Sequence, residues 1–270
     1  AIILAERIWK NEIVGFLQVI AVSNPRATFS ELSFAQLLKD FLRIDEYVDI
    51  ILPCFKTGIL TTDEKCMMNI LNQIALVVIQ ASTDENYVPT ANKLILLLSE
   101  TLNSLTKKSL KEYEDNNIFE LISKFPSSTK DRESLVNSLK FFMNICFKFN
   151  SYIQMFSDLL VYQNLKEAFT YVKLDSEMLL LLLSMTMNTP TDLEKSENRS
   201  IQNRFAMKLL LDVIKDYEDE LELLKYFHKI CASSNSNLYQ CYQGGLITYL
   251  LGRVDVIELQ TEVFSLFKLV

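Results

Sequence analysis

The stretch YFHKICASSNSNLYQCYQGG holds the residues best suited to chemistry: His228, the only histidine, with Cys231 three residues on and Cys241 ten residues after that. An imidazole and two thiols are the makings of a soft-metal site or of a thiol–imidazole nucleophile. His228 and Cys231 share one helical face, but the position of Cys241 fits no common zinc spacing, so ordinary packing is the expected role of all three. Cysteine-protease chemistry would need a thiol brought to this imidazole, and nothing in the spacing encourages it. The run LDVIKDYEDELELLK gathers Asp212, Asp216, Glu218, Asp219, Glu220 and Glu222 on one local segment. A paired-carboxylate acid and base site needs groups facing each other across a cleft, so this run is expected to be a solvated helix face. Lys107, Lys108 and Lys111 form the one compact basic cluster, expected near a helix C-terminus where the macrodipole favours cations. Gly15, Gly58, Gly244, Gly245 and Gly252 make no phosphate-binding loop. Phe141, Phe142, Phe147 and Phe149 have the spacing of core residues. No catalytic residue, metal ligand or cofactor is therefore expected, and the chain is read as not an enzyme.

The elements that must position these groups are helical. With 5 Gly and 5 Pro in 270 residues, the turn residues that a β architecture needs are missing, and long helices are favoured. Five Ser/Thr-x-x-Asp/Glu boxes stand before apolar periodic runs: Thr28/Glu31, Thr61/Glu64, Ser82/Glu85, Ser128/Asp131 and Thr191/Glu194. Leu135, Leu139, Phe142, Cys146 and Phe149 line one helical face. Leu209, Val213, Leu221, Leu224, Phe227 and Ile230 trace a second stripe that the polar DYEDE segment bends or interrupts. MLLLLLSMTM is apolar on every side, which places its helix centrally in a layer.

A formal charge of −7 disfavours a broad nucleic-acid footprint, so no nucleic acid is expected as partner. Five cysteines scattered through helical patterns fit reduced thiols and a cytoplasmic setting. The longest apolar run, Met178 to Met187, is too short for the roughly 20 residues of a bilayer span, so no direct membrane insertion is expected. The chain opens on AIILAERIW without Met and ends in a running helical pattern, which reads as a piece of a larger protein.

Long apolar helices give out at VIAVSNPRATF, VIQASTDENYV, ICFKFNSYIQMF, SMTMNTPTDLE and ICASSNSNLYQCY. Marked by Asn24, Thr83, Asn150, Asn188 and Asn235, the breaks are about 59, 67, 38 and 47 residues apart. The last two intervals lie near the roughly 40 to 47 of armadillo and HEAT units. Between its second and third helices such a unit needs a sharp bend, and Gly244 and Gly245 are expected to make it, because glycine tolerates positive φ. YFHKICASSNSNLYQCYQGGLITYLLGRV thus resembles an armadillo repeat: a helix to Ala232, a polar turn, a short helix through Tyr242, a glycine corner and a last helix from Leu246. FFMNICFKFNSYIQMFSDLLVYQNLKEAFTYV has the same layout with Asp158 or Gln163 near its corner.

The expected fold is all-α, an armadillo/HEAT-like right-handed superhelix of degenerate repeats forming a single domain over 1–270. ICASSNSNLYQCYQGGLITYLL resembles the helical scaffold regions of BEACH-domain proteins, which implies protein partners and a scaffold role in vesicle or membrane traffic. SLVNSLKFFMNICFKF is similar to the regulatory armadillo region of diaphanous-type formins, which implies small-GTPase binding as an alternative. Solenoids bind along the groove lined by the last helix of each unit. The tryptophan and asparagine arrays of import-peptide receptors are not matched, since Trp9 is the one tryptophan. The expected partner-binding residues are Thr248, Tyr249 and Arg253, presented outward on the helix from Leu246, and Lys166 and Tyr171 one layer earlier.

Overall fold

The computed structural model describes residues 2–43, 45–191, 199–215 and 217–269, without the side chains of 2–9, 45 and 46. The side chain of Trp9, Glu194 of the Thr191 box and Asp216 of the acidic run lie outside the described residues. The fold is all-α: among the described residues there are seventeen α-helices, three short 3-10 turns and no strand. No helix among them is long and apolar enough to cross a membrane. The chain, expected as one domain, divides into two compact units, 1–141 and 142–270.

The first unit holds α1 (Ile2–Ser23), α2 (Pro25–Phe29), α3 (Leu32–Phe41), α4 (Asp45–Leu60), α5 (Glu64–Ala81), α6 (Val88–Thr101), α7 (Lys107–Asp115), α8 (Ile118–Thr129) and the first part of α9 (Arg132–Lys148). Here α4 packs against α1 and α6, and α5 against α2, α3, α6 and α8. Ile51, Phe55, Ile70, Ile74, Leu94 and Leu98 fill the space between them. The buried amide of Asn69 donates to the carbonyls of Phe29, at 2.8 Å, and Ser30, at 3.3 Å. It thereby occupies acceptors that the end of α2 would otherwise leave unpaired.

The second unit holds the rest of α9, then α10 (Tyr152–Asp158), α11 (Val161–Ala168), α12 (Ser176–Met187), α13 (Arg204–Val213), α14 (Glu220–Ser233), α15 (Asn235–Gln243), α16 (Leu246–Leu251) and α17 (Gln260–Leu269). The all-round apolar α12 is covered on most sides, with Met178, Leu179, Leu182, Leu183, Met185 and Met187 buried. Adjacent phenylalanines serve different cores. Phe141 meets Tyr113 and Phe119 in the first unit, and Phe142 meets Phe156 edge-on at 5.0 Å in the second.

Some helix starts are capped by side chains, though not by the hydroxyls that the boxes suggested. Asp63 accepts from the Cys66 N–H at 3.0 Å to open α5, and Asp131 accepts from the Ser134 N–H at 2.8 Å to open α9. Thr28 instead lies inside α2, Ser82 ends α5, and Ser128 lies in the last turn of α8. The boxes at Thr61, Ser82 and Ser128 thus mark helix junctions, but there a carboxylate two or three residues later, Asp63, Asp84 or Asp131, makes the charge-assisted cap, whereas at Thr28 no side chain caps α3. The lysine cluster is also corrected. Lys107, Lys108 and Lys111 begin α7 rather than end a helix, and Lys108 is held there by Glu64 at 2.6 Å.

The two armadillo-like segments share one local plan. α9 and α14 end at Lys148 and Ser233, α10 and α15 at Asp158 and Gln243, and α11 and α16 begin at Val161 and Leu246. Each pair is 85 positions apart. The corners match at that same offset of 85: Leu160 has φ 58° and Gly245 has φ 89°. The bend therefore falls on Leu160 in the first copy, not on Asp158 or Gln163. Gly244 has an ordinary helical φ, and its missing Cβ leaves room for Met207 Sδ, which would stand 2.7 Å from it. The left-handed conformation costs an L-residue about 1–2 kcal/mol.

Two expectations follow for urea denaturation. Gly245→Ala should lower stability by about 1–2 kcal/mol, whereas Leu160→Gly should leave it within about 1 kcal/mol of wild type on the stabilising side. The caps are testable by pH. Hydrogen bonding from the Cys66 N–H, first among several causes, holds the Asp63 carboxyl below its ordinary 3.8. Its stabilisation is therefore present above that value and lost as pH falls through the lower folded value. Asp63→Ala should cost about 1 kcal/mol at pH 7, with the difference from wild type shrinking in acid.

Candidate interaction groove

A groove of about 620 Å³, open to solvent, lies in the second unit. One wall is α11, which contributes Tyr162, Gln163, Lys166 and Glu167; the other is α13, with Phe205, Lys208, Leu209 and Asp212. The corner at Leu160 forms part of the rim. α11 faces the groove with its polar side because Val161, Leu165 and Ala168 are drawn into the core.

Across the groove Lys166 Nζ donates to Asp212 Oδ2 at 2.7 Å. The Tyr162 ring stacks on Phe205 at 5.8 Å. Asn203 donates its side-chain N–H to the Tyr162 hydroxyl at 2.9 Å, so that buried oxygen is satisfied. Arg204 lies over the other flank, 4.9 Å from the Phe205 ring centroid. The result is a solvent-open groove with an aromatic base and both signs of charge along its edge.

Of the residues expected to bind partners, Lys166 lies in this groove. Tyr171 is 52% exposed but outside the lining, and Thr248 is exposed on α16. The outward placement of Tyr249 and Arg253 is corrected: both are buried, at 4% and 9% exposure. Arg253 grips Glu220 with a two-pronged contact, Nε to Oε1 at 2.7 Å and an Nη to Oε2 at 2.6 Å, and the Tyr249 hydroxyl donates to the same carboxylate. An amphipathic reading of α16 alone assigns these polar heads to solvent. A carboxylate at the start of α14 gives them a buried partner instead.

The acidic run is thereby dispersed. Asp212 belongs to α13 and pairs with Lys166, Glu220 is buried, and Glu222 pairs with Lys225 at 2.7 Å. Sequence reasoning also passed over Tyr162, Phe205 and Lys208 as groove residues. The only signal for them was their position beside Lys166 and Asp212 in the helical periods of α11 and α13.

His228 ties α14 to α17. Its Nδ1 contacts Glu262 Oε1 at 2.5 Å, and Ser265 Oγ stands 3.5 Å from Nδ1 and 3.4 Å from Nε2. A serine nucleophile needs its oxygen in line with one nitrogen at about 2.6–3.2 Å. Near-equal distances to both nitrogens place Ser265 beside the ring, so the contact reads as a structural clamp. Cys231 and Cys241 meet each other rather than the imidazole, 3.1 Å apart. No group of three or more His, Cys, Asp or Glu side chains among the described residues is arranged to hold a metal ion.

The two kinds of ion pair should respond very differently to mutation. Glu220→Ala removes the two-pronged carboxylate from the buried Arg253 and should cost about 3–5 kcal/mol. Lys166→Ala breaks a solvent-screened pair and should cost less than about 1 kcal/mol. Chemical denaturation of both variants checks the contrast.

Comparison with known proteins finds no matching family model and no matching curated protein. Among solved structures, the chain is similar to the crystal structure of an engineered protein, with 15% identity, a TM-score of 0.43, and coverage of 87% of this chain and 95% of that one.

Proposed function

We propose that this chain is a non-enzymatic protein-interaction module built as an armadillo/HEAT-like superhelix of degenerate repeats, and that it binds an extended peptide segment of a partner in the groove between α11 and α13. The observation that carries the reading is the place of the groove: it lies on α11, the third helix of the α9–α10–α11 plan. Solenoid repeats use such surfaces for partners. The recurrence of the plan at α14–α15–α16 supports the repeat reading. The resemblance of ICASSNSNLYQCYQGGLITYLL to BEACH-protein scaffold regions supports the reading of a cytoplasmic scaffold serving vesicle or membrane traffic.

A random peptide library displayed on phage and selected against the whole chain tests the groove. Selected peptides should lose about tenfold or more in affinity, roughly 1.4 kcal/mol, toward the double variant Leu160→Asp, Lys208→Glu. Both positions are exposed, so the fold should persist. Failure to enrich any peptide, or equal binding to wild type and variant, would contradict the proposal.

A further inference from the structure

The five buried thiols could be expected to be interchangeable core fillers, but they have different surroundings. Cys54 donates to the Ile50 carbonyl at 3.5 Å within its own helix, and Cys66 to the Arg26 carbonyl at 3.3 Å. Cys146 lies against Tyr162, and burial pushes its thiol up to about 12. Cys231 and Cys241 meet each other, with 3.1 Å between the Sγ atoms. That is closer than two thiols sit in ordinary packing and about 1 Å from a bonded pair.

The repeat plan shows that this pairing is not needed to fill the site. At the offset of 85, Cys146 corresponds to Cys231, but Cys241 corresponds to Phe156, whose ring packs edge-on against Phe142. One copy closes its elbow with an aromatic pair; the other closes it with two thiols.

We propose that Cys231 and Cys241 are a reversible dithiol–disulfide site that fastens the last turns of α14 to α15, with a small-molecule disulfide as the oxidant. Cys231 is the entry point: it is 4% exposed against 0% for Cys241, and it sits beside the exposed elbow 232–236. The Cys231 thiolate attacks one sulfur of the small disulfide, forming a mixed disulfide and releasing one small thiol. The Cys241 thiolate then attacks the Cys231 sulfur, forming the internal bond and expelling the second small thiol. Two S–H bonds are lost from the protein, and both protons and both electrons end on the two small thiols. Once deprotonated, Cys231 accepts from the Cys241 S–H, which lowers the Cys231 thiol, while the same contact raises Cys241. This order of attack agrees with the exposure of the two residues.

The bond would close the elbow that also carries Asn237. The Asn237 amide accepts from the Ile201 N–H at 3.0 Å and donates to the Arg199 carbonyl at 3.0 Å. Oxidation would therefore stiffen the point at which the segment before α13 is tied to α15.

The test equilibrates the full chain in buffers of graded oxidised to reduced glutathione, starting both from the reduced folded protein and from denatured protein during refolding. Remaining thiols are then capped with N-ethylmaleimide and the intact mass is measured. The expected result is a fall from five capped thiols to three as the buffer becomes oxidising, with the cross-link mapped to Cys231–Cys241 and five restored by dithiothreitol. The melting temperature of the oxidised form should rise by several degrees. Cys231→Ser and Cys241→Ala, checked for fold by circular dichroism, should each keep four capped thiols throughout. Five capped thiols in the most oxidising buffer, a bridge to another cysteine, or a glutathione adduct that persists on Cys231 would overturn the proposal. Each of these can be read in the wild-type chain even if a variant fails to fold.

Discussion

A chain that must fold back between two short helices needs a residue whose backbone turns the wrong way for an L-amino acid. In the second unit this happens at Leu160 and again at Gly245, and the helices that follow, α11 and α16, owe their direction to it. Once α11 has turned, Val161, Leu165 and Ala168 enter the core, and Gln163, Lys166 and Glu167 are left on the groove side. α16 repeats the arrangement with Leu246 and Leu250 inside and Thr248 outside. The corner is thus the step by which backbone stereochemistry becomes one wall of the groove. Glycine meets the requirement without a Cβ penalty, while leucine adopts the same geometry because the packing on either side of it outweighs a cost of about 1–2 kcal/mol.

The charged groups divide between two roles. Lys56–Glu100, Lys93–Asp49 and Lys108–Glu64 are exposed pairs that bridge neighbouring helices in the first unit. Water screens them, and their contribution is small. Glu220, Tyr249 and Arg253 are different. Held out of water, they satisfy one another's polar groups and so help fix the turn after α16 against the start of α14. The Lys166–Asp212 pair is intermediate: it spans the groove, and a ligand could displace it at modest cost.

Much of this could be read from residue types alone. The all-helical class follows from scarce glycine and proline together with helical periodicity, and the stripe from Leu135 to Cys146 is buried as its spacing requires, while its last expected member, Phe149, is half-buried just past α9. The elbow and the glycine corner from Lys229 to Val254 were legible because Gly245 sits where only a positive φ closes the bend. Its counterpart was not, because leucine carries no local mark of a left-handed turn. Lys166 could be found by extending the repeat, whereas Phe205 and Lys208 required knowing which face α13 turns toward α11. Arg253 and Tyr249 misled for a related reason. Their partner is 33 and 29 residues away in Glu220, and a long-range buried contact leaves no periodic trace. The capping boxes pointed to the right junctions but the wrong oxygen, since Ser/Thr and Asp compete for the same backbone N–H groups.

The most direct measurement is the backbone conformation through both corners, read from the NMR chemical shifts and amide-to-α-proton couplings of isotopically labelled protein. Residues 149–170 and 234–253 should each give a short helix, one residue with left-handed backbone angles at Leu160 or Gly245, and a second helix beginning at the next position. An uninterrupted helix through either position, or extended backbone there, would contradict the shared plan from which the groove is derived.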